Sequence, residues 1–400
     1  MLSSFRSSAL IAILFAAAMV VTACSSPSNS AGAAGVTGAA GVTADTVTIG
    51  ATCDLTGPTA APVKSQLGGF NAWFSQVNAG GGVGGRKIDF KVLNDGYDAT
   101  RAVANTRQLV SEGAFAMTAC GTIEAAAIQP VLEKAQVPLL FPYAGVASLV
   151  QPVSKYIYSI LPLYGDQITR LIDFAFAKYG SGSVAMLAQD LPGVTEYEAA
   201  AKNATTGGGG KWLGSQVVKA DTADYTPFVL SLKSRNPDYV FLVQGAPQAA
   251  KALNTMLQQG ALPAKYALGI TPESTGVFLS AANPQAASKM LAVSTTVAPD
   301  SVEASSCREA ILKYQPSITP DGFSMFGCTA AQLMVAAIEK TGAKPTVSGL
   351  LGVLDGLNQF QPSPALSKVS FSVNQHMGIK SMYVLSPKDG KFVTVGETKE

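Results

Sequence analysis

Residues Val47–Pro58 read VTIGATCDLTGP, a β-branched and small apolar run that stops at Thr56-Gly57-Pro58. Such a run closed by turn chemistry predicts a buried strand over Val47–Thr52. The period then changes. Val63, Leu67, Phe70, Phe74 and Val77 recur at spacings of three and four, an amphipathic helical stripe that Asn78-Ala79-Gly80-Gly81-Gly82 ends. Ile88, Phe90 and Val92 alternate with polar neighbours over Lys87–Asn94, predicting a second strand, and Val103, Thr106 and Val110 line a helix over Ala99–Ser111. Short strands at Ala114–Thr118 and Pro138–Phe141 flank a helix at Glu124–Ala135. Strand and helix alternate from Val47 onward, which predicts a parallel sheet covered by helices on both faces, the α/β class.

The rhythm restarts downstream. Ile168, Leu171, Ile172, Ala175 and Phe176 share one side of a helix over Gln167–Tyr179. Strands follow at Ser183–Leu187, Trp212–Val218 and Tyr239–Val243, with helices at Thr195–Asn203, Thr226–Ser234 and Gln248–Gln259. Two α/β units of similar size predict two similar lobes, with Leu161-Pro162-Leu163 as a crossing between them.

Upstream of the deciding strand, Arg6 precedes an unbroken apolar run, Ala9–Val21, closed by Val21-Thr22-Ala23-Cys24. A run that short, ending in small residues, reads as a cleaved export signal. The terminal cysteine resembles a bacterial lipobox, which implies that residues 1–23 are removed and Cys24 is acylated. Residues 24–44 are mostly Ser, Ala, Gly and Thr and read as a flexible tether. The remaining body, roughly 355 residues, favours two domains. Charged residues are only 14% and the net charge is +2, so no nucleic-acid partner is expected. No second apolar stretch reads as a membrane span, and the body is expected to be soluble. With Cys24 set aside, Cys53, Cys120, Cys307 and Cys328 remain, and outside the cytosol an even number predicts two disulfides with three possible pairings. No metal site is expected, given wide cysteine spacing and a single histidine, His376.

The order of motifs resembles the type I periplasmic binding proteins of ABC transporters, specifically the branched-chain amino acid (Leu/Ile/Val) group. The residues that carry this are VTIGATCDLTGP (Val47–Pro58), NAGGGVGGRKIDF (Asn78–Phe90), LNDGYDATRAVANTRQLV (Leu93–Val110), QVPLLFPYAG (Gln136–Gly145) and PDYVFLVQG (Pro237–Gly245), with a final strand pair near Lys368–Val395. The resemblance spans essentially everything after the tether. It implies two Rossmann-like parallel-sheet lobes joined by three crossovers, near Leu161–Gly165, Thr295–Pro299 and Ser367–Ser372. Residues 45–162 plus 298–368 would form lobe 1, and residues 163–297 plus 369–400 lobe 2. It also implies capture of an amino acid or related carboxylate between the lobes, with no cofactor, and docking on a membrane permease by an exported monomer anchored to the outer face of the cytoplasmic membrane through Cys24. A ligand-sensing receptor of the same fold, uncoupled from transport, is the alternative.

Ligands of open α/β sheets sit beyond the carboxyl ends of the strands. In lobe 1 that rule selects Gly121 and Thr122, with Thr122 expected as the helix N-cap, and Tyr143-Ala144-Gly145, which match the family segment whose backbone holds the ligand's α-carboxylate and ammonium. In lobe 2 the family pattern points to Pro192 and Ala246, both where aromatics are common, and to Glu273 as an anionic partner for a ligand ammonium. In the family's sheet order strands one and three are neighbours, which favours Cys53–Cys120, while Cys307 and Cys328 on consecutive helical segments favour the second pair. Glu124 suits a helix N-terminus and is expected to face solvent; His376 is expected to be exposed. Gly80–Gly85 lacks the Gly-Lys-Ser/Thr ending of a phosphate loop, and one histidine with no serine or cysteine elbow assembles no triad, so no catalytic residue is assigned.

Overall fold

The opening run forms β1 (Thr46–Cys53), whose Val47, Ile49, Ala51 and Cys53 side chains are fully buried. It is the hub of a parallel five-stranded sheet in the order β2-β1-β3-β4-β5, with β2 (Lys87–Asn94), β3 (Ala116–Ala119), β4 (Leu139–Leu140) and β5 (Ile157–Tyr158). The connecting helices are α1 (Ala60–Ala79), α2 (Ala99–Ser111) and α3 (Thr122–Ala135). This computed structural model describes residues 40–190, 193–219, 222–270 and 276–399. Cys24, Pro192 and Glu273 lie outside the described residues.

The second sheet runs β12-β11-β10-β9-β8-β6-β7. Its parallel part comprises β6 (Ser183–Gln189), β7 (Lys211–Val218), β8 (Tyr239–Val243), β9 (Tyr266–Gly269) and β10 (Met290–Ser294). The antiparallel pair β11 (Tyr383–Lys388) and β12 (Lys391–Glu397) extends one edge. Helices α4 (Tyr164–Tyr179), α5 (Val194–Gly207), α6 (Thr226–Arg235) and α7 (Ala246–Gln258) connect these strands, with short helices α8 (Gly276–Ala281) and α9 (Pro284–Ala287) beside β9 and β10.

The chain then returns to the first sheet as α10 (Ser305–Tyr314), α11 (Gly322–Lys340) and α12 (Val347–Asp355). Helix α11 lies against α1 at backbone contact. A Cβ on Gly69 would fall 2.0 Å from the Ser324 carbonyl oxygen, and one on Gly327 would fall 2.0 Å from that of Gln66. Only glycine permits so close an approach. Against the sequence expectation, α11 is long and apolar enough to cross a membrane, yet 83% of that stretch is buried inside the protein. Its apolar surface all round suits a core helix enclosed by α1, α10 and α12.

Three chain passages link the sheets: between β5 and α4, between β10 and α10, and between α12 and β11. The latter two touch, since the Val297 N–H donates to the Ala365 carbonyl and that of Ser367 to the Thr295 carbonyl, both at 2.9 Å. The last passage also joins the first through Ser159, whose N–H donates to His376 O at 2.9 Å. Contrary to expectation, His376 is only 3% exposed. Its Nδ1 lies 2.7 Å from Ser154 O and 3.0 Å from Ile157 O, and its Nε2 lies 3.1 Å from Asp355 Oδ1, which also accepts from the Tyr158 hydroxyl at 2.7 Å. The ring stacks on Tyr158 and serves as a strut.

Both disulfides join the favoured partners. Cys53–Cys120 ties the ends of neighbouring strands β1 and β3, with Cα atoms 5.0 Å apart, and Cys307–Cys328 clips α10 to α11 at 5.9 Å.

Candidate functional site

The carboxyl ends of β1, β2 and β3 come together beneath the start of α4. Asp54, directly after β1, is buried and caps the following turn. It accepts from the N–H groups of Thr56, Gly57 and Thr59 and from the Thr59 hydroxyl. Burial alone would raise its pKa, but these donors, Thr59 and Gly57 foremost, bring it below the ordinary carboxylate range. Asp95, directly after β2, is also fully buried, accepting from the Thr52 hydroxyl at 2.7 Å and from the Tyr97 N–H at 2.9 Å. Here burial prevails and the pKa is raised, with the Asp54 charge adding to it. Tyr97 follows Gly96 with φ of 64°, a left-handed turn. Burial raises its phenol pKa as well, with the carboxyl of Glu124 the largest charge effect on it.

Helix α3 starts immediately after the Cys120 bridge. Gly121, not Thr122, is its N-cap; Thr122 is the first helical residue. Freed from capping, the Thr122 hydroxyl lies 3.1 Å from that of Tyr164, the first residue of α4, and so links the two halves of the molecule. Glu124, expected in solvent, is 0% exposed. Its carboxyl folds back over the β3–α3 turn, so that a Cβ on Gly121 would fall 2.5 Å from Oε2. Neither carboxyl oxygen has a hydrogen-bond partner on another residue. Burial, reinforced by Asp95 and Asp54 and only partly offset by the residue's own N–H, raises its pKa to about 8.

Tyr143, Ala144 and Gly145 sit behind this rim, all buried. The Tyr143 N–H donates to Ala119 O at 2.9 Å, and its ring contacts Phe323 and Phe326 of α11 with centroids 5.0 and 4.8 Å away. Gly145 O accepts from the Tyr164 N–H at 2.8 Å, and a Cβ there would fall 2.7 Å from Pro162 O. This segment therefore braces the crossover against the end of β3 as well as bordering the rim. Across from it, Tyr164 meets Tyr197 of α5 edge to face, at 5.7 Å and 86°. The Tyr197 ring covers the turn at Gly193, where a Cβ would fall 2.9 Å from its hydroxyl oxygen. Ala246 opens α7 beyond β8, its side chain in the second lobe's core.

The sequence reading missed Asp54, Asp95, Tyr97, Tyr164 and Tyr197. The strand-end rule could have found the first three, because Asp54 and Asp95-Gly96-Tyr97 follow β1 and β2 directly. Among the described residues no cluster of three His, Cys, Asp or Glu side chains is placed to hold a metal ion.

Two sheets facing each other through such strand ends have many counterparts, and one comparison decides the family: the periplasmic binding protein profile matches residues 46–391. The chain belongs to the periplasmic binding protein family. Family members are solute-binding proteins, not enzymes, and membership implies an extracytoplasmic location. This periplasmic binding protein is 23% identical over 350 residues to Leu/Ile/Val-binding protein homolog 3 of Brucella melitensis, covering 87% of this chain and 93% of that one. Two solved structures share the fold. The fatty acid ABC transporter substrate-binding protein from Thermomonospora curvata superposes with a TM-score of 0.81 at 22% identity, over 91% of this chain and 94% of its own. The branched chain amino acid ABC transporter protein from Thermus thermophilus with bound valine gives 0.79 at 19% identity, over 89% and 96%. The resemblance to the branched-chain group and the type I two-lobed fold read from the sequence are borne out.

Proposed function

We propose that this periplasmic binding protein is the substrate-binding lipoprotein of an ABC importer, anchored through Cys24, and captures a small amino acid-like or carboxylate ligand between its lobes. The observation that carries this is the polar contact between Thr122, at the carboxyl end of β3, and Tyr164, at the entry to the second half. Strand ends and helix N-termini of opposed sheets are where ligands of such folds are held. In this reading residues 45–162 plus 298–368 and 163–297 plus 369–400 form the lobes and move about the three passages, with the stretch of the last passage around His376 lying against the first lobe. Gly121, Thr122, Tyr143, Ala144 and Gly145 contribute from the first lobe, and Pro192, Ala246 and Glu273 from the second. The relatives whose names refer to Leu/Ile/Val, valine and fatty acid support a ligand with an apolar body and a polar end.

A thermal-shift screen over amino acids, amides, short-chain carboxylates and aromatic acids tests the reading. A true ligand at a hundred times its Kd adds about 2.7 kcal/mol to the folded state. Absence of any shift across the panel defeats the capture reading.

A further inference from the structure

The geometry points to Glu124 as a specificity residue: we infer that the ligand group received at the α3 N-terminus is a hydrogen-bond donor, a protonated amine above all, and not a carboxylate. The inference rests on the capture reading and sharpens it.

Three observations carry it. Glu124 is fully buried with both carboxyl oxygens lacking any partner on another residue, and once ionised the carboxyl can only accept, so a charged donor that holds it ionised would satisfy both oxygens. The carboxyl also lies over Gly121, where an incoming anion would approach the N–H groups of the first turn of α3. The protein's own carboxyl already holds that place. Finally, the surroundings disfavour an incoming anion. From β1 and β2 the buried Asp54 and Asp95 face Glu124, and Tyr97 and Tyr164 add only hydroxyls. Arg101 of α2 acts on Asp95, and its guanidinium reaches Gly96 O at 3.5 Å and Asp98 at 4.0 Å. Among the described residues no Lys or Arg forms an ion pair with Glu124, Asp54 or Asp95.

The proton follows from the charge. An ammonium beside Glu124 stabilises its carboxylate, so binding at neutral pH expels the carboxyl proton to solvent while the amine keeps its own. With a carboxyl titrating at about 8 before binding, roughly nine-tenths of a proton leaves per ligand at pH 7. Affinity then rises about tenfold from pH 6 to 7 and levels off above 8.

Matched probes test this by calorimetry in phosphate and Tris buffers: L-valine, isobutylamine and 3-methylbutanoate, then L-phenylalanine, 2-phenylethylamine and 3-phenylpropanoate. Binding by amine-bearing members, with proton release in the native protein that Glu124→Gln abolishes, supports the inference. Tightest binding by the amine-free acids overturns it, as does unchanged proton release in Glu124→Gln. If none of the six binds, the capture reading itself loses its footing for these ligand classes. A ligand-free measurement then judges Glu124 alone: carboxyl carbon NMR of glutamate-labelled protein shows a resonance titrating near 8 that is missing from Glu124→Gln. Titration of every glutamate in the ordinary range overturns the inference.

Discussion

Removing the two disulfides separately probes how the fold is held, because their environments match and their loops differ. All four cysteines are almost fully buried, and both bridges brace the half of the molecule built on β1. Replacing either pair by alanine therefore loses a similar amount of buried sulfur. What differs is the loop closed in the unfolded chain, 67 residues for Cys53–Cys120 against 21 for Cys307–Cys328. Loop-closure entropy gives about 4 kcal/mol for the longer and about 3 kcal/mol for the shorter, a difference of about 1 kcal/mol. The two tryptophans make the measurement local. Trp73 lies in α1, beside α11, and Trp212 lies in β7 of the second sheet. Urea unfolding followed by fluorescence in Trp73→Phe and Trp212→Phe backgrounds reads the two halves separately. Cys53→Ala/Cys120→Ala should move the Trp73 transition more than Cys307→Ala/Cys328→Ala does, and both should move the Trp212 transition less. A larger cost for the shorter loop, or equal movement of the two tryptophans, would refute this reasoning.

Further outcomes follow from single contacts. Gly69→Ala drives a methyl into the Ser324 carbonyl and should cost about 3 kcal/mol, seen as a lower urea midpoint, because backbone on both sides blocks relief. Asp54→Asn should cost about 1.5–3 kcal/mol at neutral pH, the worth of charge-assisted bonds to the turn. The Asp54 pKa is depressed on folding, so that stabilisation is present above the ordinary carboxylate range and is lost as pH falls through the folded value; acid titration of native and variant protein should converge there. Glu124 has the opposite sign. Between the ordinary carboxyl range and about 8 the folded state keeps a proton the unfolded chain has lost. Native stability should therefore decline across that window by up to about 1.4 kcal/mol per pH unit, and Glu124→Gln should flatten the profile in urea titrations at pH 6, 7 and 8.

The lobes were legible because their elements announce themselves locally. The buried run at Val47 and the stripe from Val63 to Val77 name a strand and a helix without reference to anything distant. The cysteine pairing became readable once the family supplied the order of strands, since Cys53 and Cys120 then end neighbours. The rim was less legible for a physical reason. Periodicity tells which side of an element is buried, not what lies across a gap, so Tyr164 and Tyr197 looked like ordinary members of their helices. Glu124 and His376 were misplaced by the same logic. A charged first-turn residue normally faces water, and only the convergence of β1, β2 and α3 closes water off from Glu124. His376 is buried because the last passage runs beside β5, a contact between residues more than two hundred apart.

A crystal structure of the protein with its strongest thermal-shift ligand tests the central claim most directly. The account predicts the ligand between the two sheets, touching Thr122 and the segment from Tyr143 to Gly145 on one side and the β6, β8 and β9 ends on the other, with a donor group against Glu124. Ligand found instead in the surface cavity of about 710 Å³ lined by Asp166, Arg170, Phe174, Lys178 and Lys399, with the strand ends empty, would contradict it.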